Sequence, residues 1–177
     1  MIDIGGYHPD PSVSRYPTGA IFENEGRKLY DLIRERKPNL VVEVGAHSGC
    51  STNWLAAGII DNGKGRLISI DKGEFNDITP LWGFVKEEYK RVITFIRDDF
   101  NNVDIDEPID FLFEDGSHAP GFTESVLRKY KAKTIVCHDY LHRDVGVNIS
   151  SGMKAFYDNI EEFLEPPSDC GLGIVKL

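Results

Sequence analysis

Leu40-Val41-Val42-Glu43-Val44-Gly45-Ala46-His47-Ser48-Gly49-Cys50-Ser51 is the stretch that decides how the rest of the chain is read. An apolar run carries a single acid, breaks into a small-residue turn and re-enters a helical pattern at Ser51. A second apolar run, Leu67-Ile68-Ser69-Ile70, ends on Asp71. Strand, glycine turn, helix and a strand closing on an acid describe a nucleoside-binding βαβ unit. The glycines let backbone approach a ligand, and the acid can accept both ribose hydroxyls. The pattern Glu43-x-Gly45-x-x-x-Gly49 lacks the third glycine of the dinucleotide fingerprint, and no Gly-Lys-Ser/Thr follows for a phosphate loop. An acid at position 43 repels a pyrophosphate but suits a ligand bearing a cationic amino group.

Outward from this unit, short β-branched runs alternate with helical patterns. Apolar spacing predicts a helix from Ala20 to Arg36, stopped by Lys37-Pro38, and a second from Ser51 or Thr52 to Ile60. Strands are expected at Leu40–Val44, Arg66–Ile70, Val92–Ile96, Ile109–Phe113, Thr134–Cys137 and Gly173–Leu177. Further helices are expected from Thr79 to Lys90, from beyond His118 to Tyr130, and from Gly152 to Leu164, with loops at 72–77 and 141–151. The alternation implies an α/β, Rossmann-like single domain over residues 20–177, its mostly parallel sheet of six to seven strands flanked by helices. An N-terminal arm, residues 1–19, precedes it. Six strands can be placed, and the stretch between the fifth and the terminus leaves little room for the usual sixth strand or for a substrate cap. Ligands of such sheets bind beyond the carboxyl ends of the strands. Glu43 to Gly49, Asp71, Asp98-Asp99, Asp115 to His118 and His138-Asp139 all follow or close an apolar run, so the polar chemistry gathers on that edge.

Composition narrows the class. At 177 residues the chain can bury one central sheet, and its formal net charge of −9 opposes sequence-independent binding to nucleic acid or anionic membrane. No apolar run approaches a membrane span, and Met1 to Pro17 lacks the basic-then-apolar order of a signal peptide. Three scattered cysteines, Cys50, Cys137 and Cys170, are too few for a disulfide framework. A cytoplasmic, soluble protein is expected.

The first motif, Val41 to Thr52, resembles that of the class I S-adenosylmethionine-dependent methyltransferases. Ile109-Asp110-Phe111-Leu112-Phe113-Glu114-Asp115-Gly116-Ser117-His118, followed by Ile135-Val136-Cys137-His138-Asp139-Tyr140, is similar to a branch of small O-methyltransferases related to the macrocin and sugar-modifying enzymes. The closing Gly171-Leu172-Gly173-Ile174-Val175 fits its last strand. The resemblance covers residues 20–177 and implies a methyl transfer to a hydroxyl of a small molecule or sugar. It implies that Glu43, Gly45, Ala46 and Gly49 line the methionine end of the cofactor, that Ser51 and Thr52 stand at the helix start, and that Asp71 holds the ribose with Lys72 beside it. Asp98 or Asp99 would lie near the adenine amino group, each with a turn or helix cap as its alternative role.

Asp115, His118, His138 and Asp139 form the expected catalytic group, with Asp115 also close to the cofactor. In metal-dependent relatives an Asp after strand four and an acidic pair after strand five hold a divalent ion that lowers the acceptor's pKa. That pattern implies Asp115, His138 and Asp139 as ligands, although His138 replaces one acid and suits manganese, iron or zinc better than magnesium. The metal-free alternative makes His118 or His138 a general base. Tyr7, Tyr16, Trp82, Phe84, Phe122, Tyr140 and His142 are candidates for the acceptor pocket, which is either open or completed by another copy of the chain. Two other classes compete: a non-catalytic S-adenosylmethionine-binding module and a different Rossmann-like nucleotide-dependent enzyme.

Overall fold

The structure, a computed structural model, describes residues 21–73 and 81–177. The expected arm, with Tyr7 and Tyr16, lies outside these residues, as do most of the 72–77 loop and the start of the helix expected at Thr79.

Among the described residues, seven strands form one sheet. They are β1 (Leu40–Val44), β2 (Arg66–Ile70), β3 (Ile93–Ile96), β4 (Ile109–Glu114), β5 (Ala132–Cys137), β6 (Glu161–Phe163) and β7 (Leu172–Lys176). Their order is β3-β2-β1-β4-β5-β7-β6, parallel through β5, with β7 antiparallel to both β5 and β6. The order reverses between β1 and β4, and this is where parallel sheets leave a crevice.

All five residues of β1 are buried, as expected of a strand covered on both faces. Alternation divides them. Val41, Phe111, Phe113 and Val136 pack under α1 (Glu23–Arg36) and α2 (Cys50–Asn62), through Leu29, Ile33, Trp54 and Ile59. Val42, Val44, Leu112 and Ile135 pack under α3 (Phe122–Lys129) and α4 (Gly146–Lys154), through Val126, Leu127, Ile149 and Met153. α1 and α2 lie close because Gly26 leaves room for the Trp54 ring and Gly58 for Ile33.

Two expected helices are corrected. Instead of a helix from Thr79 to Lys90, described residues 81–84 make a turn and Glu87–Val92 a short 3-10 helix. Tertiary bonds capture the segment: the Trp82 and Phe84 amides donate to the His47 and Ser48 carbonyls, and the Asn53 side chain bonds Phe84 and Lys86 backbone. The helix expected at Gly152–Leu164 begins earlier, inside the expected 141–151 loop, and ends at Lys154. Its apolar residues serve opposite faces of the sheet, Phe156 and Ile160 one and Phe163 the other, so no single helical stripe unites them. Beyond it, three residues suffice for β6, the sixth strand for which little room had been expected.

Candidate active site

Register brings the chemistry together. Val44 pairs with both Ile70 and Glu114, and Glu114 pairs with Cys137, so four strands end level. The ladder runs one residue further, with the Gly45, Asp115 and His138 amides donating to the Ile70, Val44 and Glu114 carbonyls. Beyond these ends lies a cavity of about 410 Å3, within the range of small-molecule sites.

Gly45 forms its floor at φ 90°, where a Cβ would lie 2.1 Å from the Asp115 carbonyl oxygen; only glycine lets β1 and the loop after β4 approach so closely. Asp71, 5% exposed, accepts from the His47 amide at 2.8 Å and the Gly73 amide at 2.7 Å, one on each oxygen. Each oxygen keeps a further lone pair for a ligand hydroxyl. Lys72, Asp98, Asp99, Asp115 and His118 also line the cavity, and Phe100 and Phe122, in edge contact at 5.2 Å, form an apolar side. Asp99 also caps the short 3-10 helix Phe100–Asn102 through Asn101, so its cap role and its place on the wall coexist.

Glu43, Ala46, Gly49, Ser51 and Thr52 are not on this wall. Glu43 is wholly buried and accepts from the Ser51, Thr52 and Ser69 hydroxyls at 2.6–2.7 Å. Burial pushes its carboxyl up to about 7 against the pull of those three bonds. The side chain therefore ties β1 to α2 and β2, and the cavity meets the backbone after it. Gly49 starts α2 with φ 90°, and a Cβ there would strike Val85. Among the aromatic candidates, Phe122 lines the cavity. Tyr140 and Phe84 belong to the core, and Trp82 packs on Phe95 and donates to Ser69.

Asp115, His118, His138 and Asp139 come together as one cluster. His118 Nε2 lies 2.7 Å from Asp139 Oδ2. His138 Nδ1 lies 3.0 Å from Asp115 Oδ1 and 3.2 Å from the same Asp139 oxygen. Asp139 sits at φ 54°, a left-handed backbone that turns its carboxylate between the two histidines. Burial opposes its ionisation, but the bonds from His118 and His138 outweigh burial and hold it well below the usual carboxylate range. The Asp139 bond raises His118 above its ordinary value, while burial raises Asp115. His118 is half exposed on the cavity wall; His138 is buried.

Sequence reasoning missed Glu25. From the first turn of α1 its Oε2 reaches His138 Nε2 at 3.1 Å, across 113 residues of chain. It is fully buried, and its other bonds come from the Phe22 and Gly171 amides and the Ser168 hydroxyl. In sequence it is one more acid at a helix start, so no local signal could have found it. His47, Gly116 and Ser117 also reach the cavity without having been assigned a role there.

The profile of a methyltransferase-domain family matches residues 42–140, more than half of the chain. The chain belongs to this family. No curated protein matches it. Among solved structures, this methyltransferase domain is similar to the O-methyltransferase TomG from Streptomyces achromogenes, which is involved in tomaymycin synthesis and was solved with SAM. Identity there is 17%, covering 89% of this chain and 81% of that one, with a TM-score of 0.63. It is also similar to an O-methyltransferase from Bacillus cereus in complex with SAH, at 16% identity, 92% and 84% coverage and a TM-score of 0.60. A third similar structure is cmcI with Mg and SAM, at 20% identity, 82% and 68% coverage and a TM-score of 0.54. At these identities the likeness is one of fold, and the seven-stranded, mostly parallel sheet agrees with it. Among the described residues, no helix is long and apolar enough to cross a membrane.

The methyltransferase domain's donor set can be tested against a divalent ion. Asp115, His118 and Asp139 bring ligand atoms within 4.8 Å of one another, as do His138, Asp139 and Cys170. In the expected set of Asp115, His138 and Asp139, His138 Nδ1 lies 3.0 Å from Asp115 Oδ1 and 3.2 Å from Asp139 Oδ2, so the three donor atoms converge. Glu25 takes the Nε2 side of the ring, the place a carboxylate holds behind a metal-bound histidine, which leaves Nδ1 to offer a lone pair. Asp115 Oδ1 and Asp139 Oδ2 each keep a further lone pair beside these imidazole contacts, as the Asp71 oxygens do beside theirs. Burial and the neighbouring Asp139 raise the Cys170 thiol above its ordinary value.

Proposed function

We propose that this domain is an S-adenosylmethionine-dependent methyltransferase acting on a hydroxyl of a small molecule or sugar. The observation that carries the reading is the acid-rich cavity wall, where Asp71, Asp98, Asp99 and Asp115 stand against Lys72. Such a wall repels the pyrophosphate of a dinucleotide and attracts a sulfonium and an ammonium group. The O-methyltransferases of like fold support a hydroxyl acceptor.

Asp71 holds the ribose hydroxyls with its free lone pairs, already oriented by the His47 and Gly73 amides. Phe100, Phe122 and Ile70 give the base an apolar bed, with Asp98 and Asp99 beside it. When bound, the cofactor supplies an electrophilic methyl group, its sulfur taking back the C–S bonding pair. His118, on the cavity wall, takes the acceptor's hydroxyl proton, and Asp139 stabilises the imidazolium that results. His138 is buried away from the acceptor, so of the two histidines His118 is the base.

Calorimetry tests the cofactor: S-adenosylhomocysteine should bind and NAD should not. Binding of NAD alone would overturn the assignment. Turnover of methyl-labelled cofactor with a panel of hydroxylated acceptors then separates an enzyme from a non-catalytic binding module.

A further inference from the structure

We propose that Trp82 is a positioning residue for the ribose end of the cavity: it holds the His47 peptide so that the His47 amide stays aimed at Asp71. That Asp71 meets a ribose rests on the methyltransferase reading; the hold on His47 rests on geometry alone.

Among the described residues, four other than glycine take a left-handed backbone. Two of these, His47 at φ 47° and Trp82 at φ 55°, bond directly to each other. That backbone is disfavoured for a residue with a Cβ, so it persists where surrounding contacts fix it. His47 is held at both ends. Its amide donates to Asp71 Oδ2 at 2.8 Å, and its carbonyl accepts from the Trp82 amide at 2.9 Å. Released from Trp82, the His47 peptide would relax toward an ordinary backbone, and its amide would swing off the carboxylate. Asp71 would then keep the Gly73 amide on one oxygen and lose the bond that orients the other.

Trp82 is fixed in turn from three sides. Its indole N–H donates to Ser69 Oγ at 2.8 Å, and that hydroxyl donates to the buried Glu43. Its ring packs on Phe95, with centroids 5.0 Å apart. Two residues on, the Phe84 amide donates to the Ser48 carbonyl at 2.9 Å. Asn53, from α2, grips the same segment, donating to the Phe84 carbonyl at 2.8 Å and accepting from the Lys86 amide at 3.1 Å. Gly49 leaves the room: a Cβ there would lie 2.4 Å from Val85 Cγ2 and 3.2 Å from Trp82 Cα. The glycine that the resemblance places at the cofactor thus seats the segment 82–86 on the outside of the turn. Neither Trp82 nor Asn53 lines the cavity, so both act on a ligand through the His47–Asp71 bond.

The test uses the full chain and the double variant Trp82→Phe/Asn53→Ala, which changes no residue on the cavity wall. Amide hydrogen exchange by NMR, without ligand, should find the His47 amide protected in the wild type. In the variant it should exchange about tenfold faster, beyond any change it shares with the β1 amides. Calorimetry then compares S-adenosylhomocysteine with its 2′,3′-dideoxy analogue. The variant should lose about tenfold in affinity for the first and nothing for the second, because the ribose hydroxyls alone report on Asp71. An unprotected His47 amide in the wild type would overturn the proposal. So would equal acceleration of the His47 and β1 amides, or an equal loss of affinity for both ligands, since either marks a merely structural residue. Should the double variant not fold, Trp82→Phe alone, which keeps an aromatic ring beside Phe95, should move the same measurements in the same direction. If the wild type binds neither ligand, the methyltransferase reading fails, and the exchange of the His47 amide alone decides the role of Trp82.

Discussion

Replacing Glu43 by Gln should flatten one part of the pH dependence of stability. The Glu43 carboxyl is fully buried and raised from 4.5 to about 7, chiefly by burial and against three hydroxyl bonds. At about 1.4 kcal/mol for each tenfold change in acid dissociation, that rise corresponds to about 3 kcal/mol. The folded state binds this proton more tightly than the unfolded chain does. Its contribution is therefore fully present below pH 4.5 and is lost as the pH climbs through about 7. The amide of the Glu43→Gln variant does not titrate. The variant should gain about 3 kcal/mol on the wild type between those limits, whatever its offset at low pH from an amide facing the Ser51, Thr52 and Ser69 hydroxyls. Glu114, raised to about 7 by its own burial, is present in both proteins and cancels. Urea unfolding across this range gives the difference directly. A difference that does not change with pH would refute the reasoning.

Three further outcomes are expected. Gly45→Ala forces a Cβ to within 2.1 Å of the Asp115 carbonyl at φ 90°. Strain and overpacking together should cost about 2–4 kcal/mol and weaken S-adenosylhomocysteine binding, and thermal melts indistinguishable from the wild type would contradict this. Asp71→Ala should weaken that binding roughly ten- to a hundred-fold by calorimetry, because the ribose loses its acceptor and the His47 and Gly73 amides lose theirs; an unchanged Kd would remove Asp71 from the site. Asp139→Asn should lower the His118 titration midpoint, seen by NMR, from its raised value toward the ordinary 6.5, since the Asp139 bond is the main cause of the rise. The same change should reduce methyl transfer far more than cofactor affinity.

The βαβ unit was legible because its signals are local. A β-branched run, a glycine turn and an acid closing the next run each act within a few residues, and the backbone obeys them wherever the chain is covered on both faces. Strands one to five, the first two helices and the polar residues on one sheet edge followed from that. What only the tertiary structure decided were matters of distant contact. The segment 81–92 has a helical pattern, but its amides found acceptors at His47 and Ser48, so the pattern yielded. β6 is three residues long and holds its place by pairing with β7. Glu43 sits in the motif itself, yet the alternation of β1 turns it under α2 and away from the cavity. Glu25 meets His138 only because α1 packs beside the returning β7 segment, and a carboxylate that distant leaves no trace in periodicity or composition. Local rules place residues at the edge of the sheet; register and packing choose which of their charges touch.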